Sequence, residues 1–168
     1  MAMRNRKGLR GVTLIELCFS MAIVALLAGM AAPGFRSSLR AAAVRSATFD
    51  LLAGLQQARG NAIVESRPAA LCPSDAAGNC LAAHAQSSYW RVSIEGDARR
   101  LPPAGTALPA GVVVSASRSP LRFRPDALGA STGTLTICDS RGIAPPRAIV
   151  LSLSGRARVA SAPRGACS

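Results

Sequence analysis

The sequence predicts an α+β protein, with a helix along its first third and short strands in the remainder. Residues 12–32 form an apolar run of 21 residues in which Glu16 is the only charge. From residue 35 to 65 apolar side chains recur close to helical spacing, and after Arg67 the chain changes to short β-type runs separated by Gly, Pro and Ser. At 168 residues the chain is long enough for one domain plus a membrane anchor.

The first segment, residues 1–11, carries four basic side chains and no acid. A helix over the 21 apolar residues that follow spans about 30 Å, the thickness of a hydrocarbon core. Basic residues before such a run place the N-terminus in the cytoplasm and the rest across the inner membrane. An ordinary secretory signal is the alternative, because GMAA near residue 32 resembles a small-residue cleavage site. Glu16 argues against that alternative, because a carboxylate at the bilayer centre costs roughly 3 kcal/mol or more and a discarded signal has no use for it.

The stretch GVTLIE, residues 11–16, resembles the cleavage motif of type IV prepilins, and Pro33 at the end of the apolar run completes the resemblance. It implies that residues 1–11 are a leader peptide and that a prepilin peptidase cuts between Gly11 and Val12. It further implies N-methylation of Val12, which stands where the family usually has phenylalanine.

The same resemblance assigns Glu16 to filament assembly, where its carboxylate pairs with the ammonium at Val12 of a neighbouring subunit. Assembly then makes the charge tolerable, because a buried charge requires such a partner. The expected partners are therefore other pilins or pseudopilins, and residues 12–33 are expected to be the transmembrane half of a single-pass helix in the inner membrane.

Residues 34–66 are predicted to be the amphipathic half of the same helix, which Pro68 ends at the latest. Its apolar positions are expected to cover a globular domain. These positions are Phe35, Leu39, Ala42, Phe49, Leu52, Leu55, Ala62 and Ile63.

Residues 67–168 are predicted to form a β-rich periplasmic or extracellular domain. PPAGTALPAG, residues 102–111, is interpreted as a loop within it. The predicted strands are Pro68–Cys72, Tyr89–Glu95, Gly111–Ser115, Leu121–Arg124, Thr134–Cys138, Ala148–Leu153 and Arg156–Ala160.

Four cysteines, Cys72, Cys80, Cys138 and Cys167, lie in this β-rich region. Their even number fits disulfides in an oxidising compartment. A zinc site is the alternative, but there is no C-x2-C pair and His84 is the only histidine. The short spacing favours a bond between Cys72 and Cys80, although the sequence alone allows three pairings.

The stretch FRPDALGASTGTLTICDSRG (123–142), followed by RAIVLSLSGRARVA (147–160) and a terminal Cys, resembles the GspH/FimT family of minor pilins and pseudopilins. This resemblance implies a helix packed on a domain of antiparallel β-sheets. It also implies a minor subunit of a type IV pilus or of a type II secretion pseudopilus.

Within that family, FimT-like proteins bind DNA through a G-R-x-R motif near the C-terminus and act in natural transformation. Gly155, Arg156, Ala157 and Arg158 show this pattern. Residues two apart in an extended strand point to the same face about 6.6 Å apart, and phosphates recur about every 3.4 Å along the axis of one DNA strand. The resemblance therefore implies non-specific binding of double-stranded DNA for its uptake.

The charge distribution fits a polyanionic partner. The net charge is +12, and residues 118–168 hold eight arginines against two aspartates. Arg122 and Arg124 form a second alternating pair, and Arg164 lies close to the C-terminus. The alternatives are that the arginine bias reflects GC-rich coding and that the G-R-x-R stretch only opens a solvated strand. The chain would then be a structural pseudopilin of type II secretion, or a minor pilin that primes pilus assembly, without DNA contact.

Catalytic motifs do not appear. The sequence has one histidine and lacks the G-x-S-x-G, P-loop and H-E-x-x-H patterns, so no nucleophile–base set can be assembled. We therefore expect no enzymatic activity, no cofactor and no metal.

Overall fold

The computed structural model describes residues 13–96, 100–126 and 129–167. They form one long helix, two four-stranded antiparallel sheets and a short 3-10 helix, which confirms the predicted α+β class. The elements are α1 Leu14–Val64, β1 Ala69–Ser74, β2 Tyr89–Ile94, β3 Arg100–Ala107, β4 Val112–Ala116, β5 Leu121–Phe123, β6 Gly133–Asp139, β7 Arg147–Leu151, β8 Ala157–Ser161 and the 3-10 helix Arg164–Cys167.

The chain divides into two units, Met1–Arg36 and Ser37–Ser168. In the first unit the large apolar side chains of α1 are exposed; Phe19, for example, is 71% exposed. Taken singly, neither of the two described stretches of α1, Leu14–Met30 and Gly34–Val64, has both the length and the apolarity to cross a membrane, but the two together meet both criteria by length and composition alone.

The second unit contains the core. The first sheet has the order β3-β2-β1-β5 and the second the order β4-β6-β7-β8. Apolar side chains of both sheets and of α1 join in one cluster. The helix contributes Val44, Ala47, Leu51, Leu55, Ala58 and Ala62, which recur every three or four residues as one face of a helix requires.

This buried face differs from the predicted one. Leu55 and Ala62 are buried as expected, but Phe35, Leu39 and Phe49 are each more than half exposed. The contact face includes several small residues, and these allow the first sheet to approach the helix closely. A Cβ added at Gly54 would lie only 2.6 Å from Cζ3 of Trp90.

The interpretation of residues 102–111 as a loop is wrong, because β3 covers most of this stretch. β3 lies at the edge of the first sheet, where a proline removes no hydrogen bond from a second neighbour. Gly105 is needed in β3 because a side chain there would collide with the backbone oxygen of Asp75.

Two disulfides fasten the domain, with the pairing that the short spacing favours. Cys72–Cys80 closes a loop after β1, and Cys138–Cys167 links the 3-10 helix to β6.

Inside the loop that Cys72–Cys80 closes, Asp75 accepts hydrogen bonds from the side chain and backbone of Asn79. These bonds, the side-chain bond first, hold the pKa of the Asp75 carboxyl below its usual range.

Candidate nucleic-acid interface

The G-R-x-R stretch forms the turn between β7 and β8. The N–H of Gly155 donates to the carbonyl of Ser152 at 2.9 Å, and the N–H of Ser152 donates to the carbonyl of Arg156 at 3.1 Å. The Ser152 hydroxyl also accepts a hydrogen bond from the N–H of Arg156 at 3.2 Å. Gly155 has a φ of 74°, the left-handed region that favours glycine. The motif's first residue is therefore required by the geometry of the turn.

Both arginines of the motif are exposed, while Ala157 between them packs against the core. Arg158 lies in β8 opposite Val150 of β7, and Arg156 immediately precedes the strand. Because side chains alternate along an extended chain, the two guanidinium groups extend away from the core on the same side. Within the described residues neither of them pairs with a carboxylate.

The second predicted pair, Arg122 and Arg124, alternates as expected, since both are exposed while Leu121 and Phe123 are buried. Arg122 is less available than its partner, because its Nη1 lies 3.3 Å from Oε2 of Glu95. Both side chains of this ion pair are exposed. An anionic ligand can therefore compete with Glu95 for the guanidinium group of Arg122, and the protein loses little stability when the ion pair breaks.

The edge strand β5 and the β7–β8 turn are neighbours. The Cε1 atom of Phe123 lies 3.6 Å from the position that a Cβ at Gly155 would occupy. In addition, the N–H of Ala130 donates to the carbonyl of Leu153 at 2.9 Å. The structure thus brings the two arginine pairs, which belong to different sheets, to adjacent segments of the domain.

A further arginine holds the turn in place. The half-buried Arg59 of α1 donates from Nη1 to the carbonyl of Gly155 at 3.4 Å. Sequence reasoning missed this residue because its partner lies 96 residues further along the chain and no local pattern signals the contact.

The structure does not bring Arg164 to this turn. Arg164 opens the 3-10 helix beyond the far end of β8, where Arg147 pairs with Ser161 and the N–H of Ala162 points to the carbonyl of Pro146. That is the end of the second sheet opposite to the β7–β8 turn.

At the other end of the chain, Gly11 and Val12 lie outside the described residues. Glu16 lies in the first turn of α1, and its N–H donates to the hydroxyl of Thr13 at 3.3 Å. Thr13 and Glu16 thus have the spacing of a capping box, and the positive end of the helix dipole favours an acid at this position.

No group of three His, Cys, Asp or Glu side chains that could hold a metal occurs among the residues that the structure describes.

Comparisons with known proteins identify relatives of the domain. The family model of the type II transport protein GspH matches residues 47–155, from the buried half of α1 to the glycine of the β7–β8 turn. No curated protein matches the chain significantly.

Among solved structures, the type IV minor pilin FimU of Pseudomonas aeruginosa is similar in two crystal forms. In one form it is 20% identical over 73% of this chain and 90% of that chain, with a TM-score of 0.46. In the other it is 18% identical over 72% and 94%, with the same TM-score.

Proposed function

From the premise that the chain belongs to the GspH family and is a pilin-type minor subunit, we propose that it binds double-stranded DNA without sequence preference and serves DNA uptake in natural transformation. The observation that carries this proposal is the pair of exposed arginines, Arg156 and Arg158, at the end of a fixed turn. Arg122 of β5, the strand next to this turn, and Arg124 just after it are the further arginines that we include in the proposed interface.

The chemistry of these side chains suits a DNA backbone. A guanidinium group donates two parallel hydrogen bonds to a phosphate, and its charge persists at any physiological pH. Contacts of this kind carry no sequence information, so binding should depend on salt and not on base sequence.

We test this proposal with the full chain in a neutral detergent, by fluorescence anisotropy of a labelled duplex of random sequence at several salt concentrations. Replacement of both motif arginines, Arg156→Gln with Arg158→Gln, should flatten the plot of log affinity against log salt by up to about 2 units, since each neutralised phosphate contributes about 0.9. The same double variant should abolish DNA uptake in cells.

The charge-matched control is Arg45→Gln with Arg141→Gln. Both residues are exposed; Arg45 lies 14 positions before Arg59 on α1, and Arg141 lies at the opposite end of the second sheet. Equal loss in the two double variants would mean that only net charge matters. An absence of DNA binding by the unaltered protein at low salt would overturn the proposal.

A structural role without DNA contact is the second candidate. The family match ends at Gly155, so it does not include the two arginines. Gly155 itself is explained by its φ of 74° and by its contact with Arg59, which are requirements of the turn. In this case the protein is a pseudopilin of type II secretion or a minor pilin that primes pilus assembly, and the control and test variants behave alike.

The proposal also includes the route into the filament. The precursor is inserted in the inner membrane with its β-rich domain in the periplasm, a prepilin peptidase cuts between Gly11 and Val12, and Val12 is methylated. The sequence of the mature protein, read from its N-terminus, should begin at Val12. A start at or after Ala32 would instead indicate an ordinary secreted protein.

The proposed pairing of Glu16 can be tested separately. If the Glu16 carboxylate pairs with the Val12 ammonium of a neighbouring subunit, Glu16→Ala should be processed normally but be absent from sheared pili.

A further inference from the structure

A shallow groove lies at the end of the second sheet that carries the β7–β8 turn, beside Val150, the residue opposite Arg158. It has a volume of about 490 Å³. Its lining consists of Ser117, Arg118, Thr132, Gly133, Thr134, Val150, Leu151 and Ser152. We propose that this groove is a second part of the DNA interface, in which Arg118 and the surrounding hydroxyl groups bind the phosphodiester backbone that Arg158 engages at its other end. This inference rests on the proposed DNA binding and extends it to a surface that the G-R-x-R motif does not include.

The strand register connects the groove to Arg158. Arg158 lies opposite Val150, and Val150 lies opposite Thr134. Beyond Thr134, the N–H of Ser117 donates to the Thr134 carbonyl at 2.9 Å. With neighbouring strands about 4.8 Å apart, this row extends about 14 Å from Arg158 to Ser117.

The row faces away from the core. Leu135 of β6 and Ile149 and Leu151 of β7 are buried, whereas Thr134 and Val150 are half-buried and alternate with them. The row therefore lies on the same side of the sheet as the exposed guanidinium group of Arg158.

The segment after β4 holds Arg118 beside the groove. The Ser117 hydroxyl accepts the N–H of Thr134 at 2.9 Å, and the N–H of Ser117 donates to the Thr134 carbonyl at 2.9 Å, so this segment is joined to β6 by two hydrogen bonds. A Cβ added at Gly133 of β6 would lie 3.8 Å from Cβ of Arg118, which is an ordinary van der Waals contact. The side chain of Arg118 itself is exposed.

The charge of this groove distinguishes it from two other depressions of the domain. One of these includes Glu95 beside Arg122, and another includes the buried Asp139. The described residues that line the groove beside Arg158 contain a cation, several hydroxyl groups and no carboxylate. Hydroxyl groups and arginines are the usual partners of DNA phosphates, and a length of about 14 Å corresponds to roughly four base-pair steps along the axis of the duplex.

The test uses the full chain in a neutral detergent and the salt dependence of its affinity for a duplex of random sequence. Arg118→Gln should flatten the plot of log affinity against log salt by about 0.9 units, and Arg118→Gln with Arg158→Gln by about 1.8. Thr134→Val, which keeps the β-branched shape but removes the hydroxyl, should weaken binding by up to about tenfold without changing the slope. Arg141→Gln is the single-charge control and should leave the slope unchanged.

The outcomes separate the two proposals. If Arg118→Gln has the same slope as Arg141→Gln while Arg156→Gln with Arg158→Gln flattens it, the groove is not part of the interface but the proposed function stands. If the Arg156 and Arg158 double variant also keeps the unaltered slope, the proposed function fails together with the groove. The thermal midpoint of each arginine variant should match that of the unaltered protein, because Arg118, Arg141, Arg156 and Arg158 are all exposed.

Discussion

Several arginine side chains in this protein bind backbone carbonyls and stabilise the fold. Arg40 and Arg59 of α1 reach across to loop carbonyls, those of Ala110 at 2.9 Å and Gly155 at 3.4 Å. Arg91 binds the carbonyl of Gly78 in the same way. These guanidinium groups hold the fold together, so a net charge of +12 overstates the positive surface that remains for a polyanion. The proposed DNA binding therefore depends on particular exposed arginines and not on composition.

The positive φ of Gly155 gives a direct test of the turn. Gly155→Ala should destabilise the protein by about 1 to 3 kcal/mol, because a φ of 74° is unfavourable for a residue with a Cβ. Urea denaturation measures this loss. Gly155→Asn should cost less than Gly155→Ala, because asparagine tolerates the left-handed region better than alanine. Equal losses in the two variants would show that steric contact, and not φ, sets the requirement for glycine.

At the scale of elements, the sequence predicted more about position than about orientation. The end of α1 and the places of seven strands followed from the change in apolar spacing at Arg67 and from Gly, Pro and Ser between the runs. The strand β3 was missed because Pro102 and Pro103 usually indicate a loop, and only its place at a sheet edge makes them acceptable. That place depends on long-range pairing, which no local pattern reports.

The orientation of α1 was missed for a related reason. Periodicity identifies an apolar face, but both sides of this helix carry apolar residues, and the larger ones, such as Phe35 and Phe49, are exposed.

In the candidate site, too, local patterns predicted the strand residues but not the tertiary contact. Arg122, Arg124, Arg156 and Arg158 were predicted as exposed pairs from alternation along a strand, whereas the contribution of Arg59 depends on a tertiary contact.

Helix packing leads to a prediction at Gly54. Gly54→Ala should destabilise the domain by about 1 to 3 kcal/mol, because its Cβ would overlap the ring of Trp90. Gly60→Ala is the matched control on the same helix, where nothing lies within 4 Å of the added Cβ. It should stabilise the protein by roughly 0.5 to 1 kcal/mol through helix propensity. Urea denaturation of the two variants should give shifts of opposite sign, and a stabilised Gly54→Ala would contradict the packing described.

At the scale of the whole molecule, the two units differ in where their apolar side chains lie: those of the second unit form a buried core, and those of the first unit are exposed. Among the residues that the structure describes, every member of the hydrophobic core lies between Ala41 and Ala157, inside the second unit. The described part of the first unit instead exposes large apolar side chains from Leu14 to Phe35. Such a surface is suited to lipid or to other helices, and it adds nothing to the core of the domain.

We therefore expect a fragment of residues 37–168 to fold without the first unit. It should be monomeric in water without detergent and should melt in a single cooperative transition, because it keeps the whole core and both disulfides. A fragment of residues 67–168 is the control: it lacks the six core residues that α1 supplies, from Val44 to Ala62, and so it loses part of the cluster that these residues form with both sheets. It should show no cooperative transition in thermal melts followed by circular dichroism. Equal melting midpoints for the two fragments would mean that α1 is not part of the folding unit, and aggregation of the longer fragment would mean that the first unit contributes to its stability.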